Sequence, residues 1–168
     1  IVSRTGGPTA WIDTSAYDSH DLILTHFLWK PDSSGLYWYA QNRIQTWLDI
    51  VFTEQNGNTR KLPRDQTEAW IENPGDLHFL ADGSFLMFSE RTGWKHLYRV
   101  TADGLNQTPL TEGDWEAREL LSVNEIDGTA IVTGTRDSKI AENLYQISLS
   151  GKLTEVSRLT TEDGHHTA

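Results

Sequence analysis

Apolar residues in this chain come in short runs separated by turn dipeptides. Phe85 to Phe88 is continuously apolar, the pattern of a strand covered on both faces. Asp82-Gly83 before it predicts a type I′ hairpin turn, whose central positions need positive φ. Ser89, Glu90 and Arg91 end the strand, His96 to Thr101 predicts its partner, and Asp103-Gly104 turns the chain again. Upstream, Thr9 to Asp13 is a short strand candidate and Tyr17 to Asp21 a polar turn. Leu22 to Trp29 is strongly apolar, and Pro31 to Gly35 breaks it. Leu36 to Ala40 and Gln45 to Glu54 predict strands joined by the polar link Gln41 to Ile44. Asn56-Gly57 then predicts a hairpin into the edge strand Thr59 to Leu62.

Pro63 to Gly75 is the longest interruption, with Thr67 to Glu72 readable as a strand or a helical turn. Beyond the central hairpin, Leu105 to Thr111 holds a short outer strand. Glu116 to Glu125 has good helix formers, with Asp114 available as an N-cap. Thr129 to Gly134 and Glu142 to Leu149 predict strands, with Tyr145, Ile147 and Leu149 on one face and Gln146 and Ser148 on the other. Ser150-Gly151 turns the chain into an outer strand within Leu153 to Thr160, and Thr161 to Ala168 is polar.

These blocks repeat. Gly35, Gly83 and Gly128 each precede an arginine, Arg43, Arg91 and Arg136, by eight residues. Val51, Tyr98 and Tyr145 each lie six residues before Gly57, Gly104 and Gly151. Outer strands close with Leu110-Thr111 and Leu159-Thr160, and more weakly with Lys61-Leu62. A period in the forties with about four strands per unit is the pattern of a β-propeller. The repeat overrides helix propensity at Glu116 to Glu125, which is therefore expected to be a strand. The expected fold is all-β, a β-propeller fragment of about three four-stranded antiparallel blades over residues 22–62, 76–111 and 115–160. Propellers close with about four to eight blades, so three leave open faces.

Composition narrows the partners. With 14 basic against 24 acidic residues, the net charge of −10 argues against nucleic acid, which needs a basic face. No cysteine is present, which removes disulfides and thiolate metal sites and fits cytosol and bacterial periplasm alike. The chain opens on Ile1 without a signal peptide and reads as an excised piece. For the parent protein, periplasm or secretion is favoured. The seven tryptophans are spread along the chain, suggesting one per structural unit rather than one aromatic cage.

Candidate chemistry is sparse. His165-His166 lies beside Glu162 and Asp163, but adjacent histidines on a strand point to opposite faces and do not suit one ion. No metal and no cofactor are expected. Glu90 and Arg91 read as blade-pairing residues before channel ligands, and His78 and His96 as hydrogen-bonded strand ends. Trp94 and Trp115 read as wedges between blades before ligand stackers. Asn106-Gln107-Thr108 matches a glycosylation sequon. Asp32 to Trp38 has an Asp–Gly spacing one residue too long for the Asp-box turn of sialidases. The repeat alone leaves open a stand-alone binding or scaffold module and a fragment of a glycan-processing propeller.

SERTGWKHLY at 89–98 and LTEGDWEARELL at 110–121 resemble the N-terminal propeller of the dipeptidyl peptidase IV family, within the prolyl oligopeptidase-like serine peptidases. HFLADGSFLMFSERTGWKHLYRV, ENLYQISLSGKLTEVSRLT, TWLDIVFTEQNGNTRKL and EAWIE extend the resemblance from about Leu22 to Gly164. It implies an eight-bladed propeller set before an α/β-hydrolase domain, and an enzyme that removes N-terminal dipeptides with proline or alanine second. The catalytic Ser, Asp and His would lie in the hydrolase domain, and the paired glutamates that hold the substrate amine in an earlier blade. No G-x-S-x-G elbow occurs in the 168 residues, so no catalytic residue is expected here. The resemblance implies that one family segment that approaches the substrate pocket aligns with Trp70 to Gly75, making Trp70, Glu72 and Asn73 the substrate-proximal candidates. The Arg and Phe found there in some members are not matched by Ile71, Glu72, Asn73 and Pro74.

The implied partners are the hydrolase domain of the parent chain, a peptide reached through the intact propeller, and further copies of the fragment through its open blade faces. Light scattering checks the last point. Dimers or larger species are expected for the isolated chain, and a well-behaved monomer would contradict the count of three open blades.

Overall fold

The computed structural model describes residues 6–19, 21–72, 75–153, 155–162 and 164–166. It forms two compact units, Ile1–Asp76 and Leu77–Ala168. The first contains β1 (Leu22–Trp29), β2 (Gly35–Asn42), β3 (Trp47–Glu54), β4 (Thr59–Lys61) and β5 (Asp65–Gln66). They make one antiparallel sheet in the order β1-β2-β3-β4, with β5 also paired to β3. The outer edge of β3 is thus covered in two pieces on either side of Pro63, a residue with no N–H to donate to a ladder.

The second unit has two four-stranded antiparallel sheets. One is β6 (His78–Phe79), β7 (Phe85–Ser89), β8 (His96–Val100) and β9 (Gln107–Pro109). The other is β10 (Ala117–Asn124), β11 (Thr129–Gly134), β12 (Asn143–Ser148) and β13 (Val156–Arg158). Both run in sequence order, as short hairpin connections require. Among the described residues the only helical element is a 3-10 turn, Ser15–Tyr17.

Burial explains the central strands. Every residue of β7 is buried, as are the first seven of β2 and of β3. In the first unit Trp38, Ala40, Trp47 and Val51 form a cluster with Tyr17. In the second, Leu86, Phe88 and Leu97 of one sheet share a core with Ala130, Val132, Tyr145 and Ile147 of the other. Each fully buried apolar side chain contributes about 1.5–3 kcal/mol. The two sheets are also joined by polar bonds. Ala117 N–H donates to Lys95 O (2.8 Å), and Arg99 Nη1 donates to Leu149 O (3.1 Å). Trp115 lies buried in the connection between these sheets, against Tyr145 (ring centroids 5.5 Å apart).

Several expectations are corrected. Thr9 to Asp13 is not a strand; Asp13 Oδ1 instead accepts the Ser15 N–H that opens the 3-10 turn. Tyr17 belongs to that turn and is buried rather than part of a polar loop. Thr67 to Glu72 is neither strand nor helical turn. Asp82-Gly83 is not a type I′ pair. Gly83 N–H donates to Leu80 O (3.0 Å) and Leu80 N–H to Ser84 O (2.8 Å), a three-residue loop in which Gly83 alone has positive φ (82°). Asp82 instead accepts from Ser84 N and from Arg99. Glu116 to Glu125, by contrast, contains strand β10, because pairing to β11 outweighs its helix propensity.

Of the three repeat glycines, Gly83 and Gly128 have positive φ, but Gly35 does not. Gly35 opens β2, where a Cβ would lie 2.5 Å from the Phe52 ring and from Thr53 O. In that copy the left-handed position falls on Ser33 (φ 59°). A second close approach is at Gly134, where a Cβ would meet Glu116 O at 2.5 Å and the Trp115 ring at 2.6 Å. Gly134→Ala must therefore displace Trp115 and is expected to destabilise the fold by about 1–3 kcal/mol. Urea denaturation followed by tryptophan fluorescence measures this; an unchanged midpoint would show that Trp115 is not tightly wedged.

Candidate functional site

The substrate-proximal candidates lie in the stretch from Pro63 to Asp76, and a buried charge holds the start of that stretch. Asp49 sits within the apolar β3, on the face shared with Trp38 and Val51, and its side chain is 0% exposed. A carboxylate there requires partners. Arg64 Nε and Nη2 donate to its two oxygens, both at 2.7 Å, as a bidentate fork. Tyr17 Oη donates at 2.9 Å and Lys61 Nζ at 3.2 Å. The Arg64 guanidinium also lies 4.0 Å over the Trp47 ring, and Tyr17 stacks on Trp47. Burial pushes the Asp49 carboxyl up, but the hydrogen bonds from Arg64, Tyr17 and Lys61 outweigh it and hold it below the ordinary carboxylate value. Burial, and then the Asp49 charge, raise the Tyr17 phenol. One carboxylate thus ties together the 3-10 turn, β3 and the residues after β4.

From there the chain is pinned along sheet β1–β5 by backbone bonds. Thr67 N–H donates to Thr46 O (3.0 Å) and Ile71 N–H to Gln45 O (2.8 Å), while Gln41 Nε2 donates to Ile71 O (3.1 Å). Ile71 is buried, and Trp70, its indole N–H bonded to Gln45 Oε1, remains 58% exposed. Glu72 is exposed, and Asn73 lies outside the described residues. At the far end Tyr39 Oη donates to Gly75 O (3.1 Å), and His26, stacked on Tyr39, hydrogen-bonds Asp76 Oδ1 (2.5 Å). The result is a ledge whose backbone is held at Ile71 and Gly75, presenting an indole face and a carboxylate to solvent at Trp70 and Glu72. It can stack an apolar group and pair with a cation.

The other singled-out residues make contacts of their own. Arg91 Nε donates to Ser89 Oγ (2.7 Å), and its guanidinium lies 4.7 Å over Tyr98. Arg136 Nη1 donates to Val156 O (2.8 Å), and Arg43 N–H to Asp21 O (2.9 Å). His96 is buried, with Nε2 on Gly113 O and Nδ1 on Thr111 Oγ1, both 3.0 Å. The Gly113 carbonyl can only accept, so the imidazole carries its proton on Nε2, and Nδ1 of the neutral ring accepts from the Thr111 hydroxyl, whose oxygen also accepts the Leu97 N–H. Burial pushes this histidine down, in keeping with a neutral ring. The two terminal histidines diverge: His165 Nδ1 faces Glu142 Oε2 (3.4 Å), whereas His166 Nε2 bonds Glu162 O (3.0 Å).

All 168 residues match the family model of the dipeptidyl peptidase IV (DPP IV) N-terminal region. The chain belongs to this family. Probable dipeptidyl peptidase 4 of Aspergillus flavus is 28% identical over 145 residues, covering 80% of this chain and 19% of the relative. The Trichophyton verrucosum protein of the same description is 26% identical over 164 residues, covering 94% and 22%. The crystal structure of Porphyromonas gingivalis dipeptidyl peptidase 4 superposes with a TM-score of 0.72 at 21% identity, over 86% of this chain and 20% of that one. This last likeness is one of fold: the antiparallel sheets form a fragment of a β-propeller. The chain spans about a fifth of the length of these relatives.

Within this DPP IV N-terminal region, sequence reasoning singled out the Trp70 segment as a candidate but not Tyr17, Gln45, Asp49 and Arg64, whose contacts hold it. The signal for Asp49 was present, an acidic residue in the middle of the apolar run WLDIVF. Because its folded-state pKa is depressed, Asp49 contributes fully above the ordinary value of 3.8, and the contribution is lost as pH falls through the lower folded value. Asp49→Asn is expected to lower stability at pH 7 by about 3 kcal/mol and to flatten the acid limb below about pH 4. Thermal denaturation across pH 2–7 tests both; parallel wild-type and variant curves would rule out the ion pair as the source of acid sensitivity.

Proposed function

We propose that this chain is a non-catalytic propeller segment of a dipeptidyl peptidase IV-like serine exopeptidase. The observation that carries the reading is the family match along the whole chain, joined to relatives that are named dipeptidyl peptidases and are about five times longer. On this reading the parent holds its nucleophile in an α/β-hydrolase domain, and the propeller passes short peptide ends while excluding folded proteins. The blades run over residues 22–62, 76–111 and 115–160. The repeat positions Gly35, Gly83, Gly128, Arg43, Arg91 and Arg136 have structural duties.

The Trp70 to Gly75 ledge is the part of this segment that faces the peptide, through Trp70, Glu72 and Asn73. Its physical suitability supports this: the backbone of Ile71 and Gly75 is held at both ends, yet the indole of Trp70 and the Glu72 carboxylate stay exposed. A site that discriminates peptides needs such pre-positioned groups.

A Gly-Pro reporter tests the assignment. The isolated 168-residue chain is expected to release no product, whereas the full-length enzyme should cleave the reporter and free short peptides but not a folded protein with the same N-terminus. Hydrolysis by the isolated chain that survives purification would overturn the non-catalytic reading. Equal cleavage of the folded protein would overturn the gate.

A further inference from the structure

Gln45 has a left-handed backbone (φ 59°), a conformation shared among the described non-glycine residues only by Ser33. Such a conformation is strained for a residue with a long side chain, and it persists where surrounding contacts over-determine it. Here those contacts are specific. Gln45 N–H donates to Asn42 O (2.9 Å), while Asn42 Oδ1 accepts from Thr46 N (2.9 Å) and Trp47 N (3.1 Å). The turn between β2 and β3 is thereby closed on both sides of Gln45.

In this turn Gln45 meets the ledge through both its main chain and its side chain. Its carbonyl accepts the Ile71 N–H at 2.8 Å, and its Oε1 accepts the Trp70 indole N–H. One residue thus binds two consecutive residues of the ledge. Ser33, the other left-handed position, sits in a hairpin loop, where its carbonyl accepts from Gln55 Nε2. The strain at Gln45 is therefore tied to Trp70 and Ile71 in a way that the strain at Ser33 is not.

The consequence for Trp70 is chemical. Its only side-chain donor is already used by Gln45, while 58% of the residue is exposed. Such an indole offers a ring face, not a hydrogen bond, and its orientation is set before any ligand arrives. We infer that Gln45 is a positioning residue that fixes Trp70 as a stacking platform for an apolar or aromatic side chain of the peptide. This inference rests on the reading of the ledge as the substrate-facing segment, and goes beyond it in naming what sets the platform and what chemistry it takes.

The test has two arms. In the 168-residue chain, NMR observes the Trp70 indole resonance, identified by its loss in Trp70→Phe. Gln45→Ala and Gln45→Gly are expected to shift this resonance and speed its solvent exchange about tenfold, while Gln45→Glu, which still offers an acceptor oxygen, keeps it near its original place. Gln45→Gly also removes the backbone strain, so it should not lower the melting temperature. A purely structural role predicts the opposite, loss of stability with an unmoved indole signal. An indole signal unchanged by Gln45→Ala and Gln45→Gly overturns the inference. Exchange of the Trp70 indole proton at the free-indole rate in the unsubstituted chain also overturns it, however the variants fold.

In the full-length enzyme, Gln45→Ala should raise KM for peptides with a large apolar side chain several-fold while leaving kcat nearly unchanged. An indole that moves in the first arm with KM unaltered in the second would leave Gln45 as the residue that sets Trp70 and would overturn the substrate-facing reading and the stacking role.

Discussion

The central strands of each sheet carry apolar side chains on both faces, and a single sheet cannot cover both. In the second unit the constraint is met by pairing. Leu86, Phe88 and Leu97 pack against Ala130, Val132, Tyr145 and Ile147, and Trp115 fills the connection between the two sheets. That wedge leaves room only for glycine at position 134. Arg99 reinforces the arrangement from one edge, holding Ser84 and Asp82 of its own sheet and the Leu149 carbonyl of the next. Stacked sheets of this kind, each a short meander, are the physical basis of a propeller.

The first unit meets the same constraint with a polar device. Its β2 and β3 are as deeply buried as β7, yet one of the buried positions is a carboxylate. Asp49 is tolerable there because a bidentate arginine, a lysine and a phenol satisfy it. The same bonds fasten the N-terminal 3-10 turn and the residues after β4 to the sheet. The Trp70 ledge follows from this fastening: the chain leaves Arg64 already tied down and is tied again by Gln45, Gln41 and Tyr39. Structure and proposed function therefore share one set of contacts.

Nearly all strands were legible because their signals are local. Turn glycines and apolar runs located β7, β8, β11 and β12 to within a residue or two, and the repeat settled β10 against its own helix propensity. The misreadings fall where the deciding partner is distant. Tyr17 looks like a loop residue until Asp49, 32 positions away, receives its hydroxyl. The turn at Gly83 was placed correctly but given the wrong type, since Asp-Gly fits both a two-residue I′ turn and a three-residue loop.

Hydrophobic periodicity, turn chemistry and the spacing of Gly35, Gly83 and Gly128 determined by themselves that this protein is all-β and built from repeated four-stranded units. Motifs around Ser89 and Leu110 carried the family, which the match over all residues then showed. Tertiary structure alone decided that Asp49 gathers Tyr17, Lys61 and Arg64, and that Gln45 takes a left-handed backbone to hold Trp70 and Ile71. The reason is physical: strand identity depends on neighbours in sequence, whereas the satisfaction of a buried charge or an indole N–H depends on groups that only folding brings within hydrogen-bond reach.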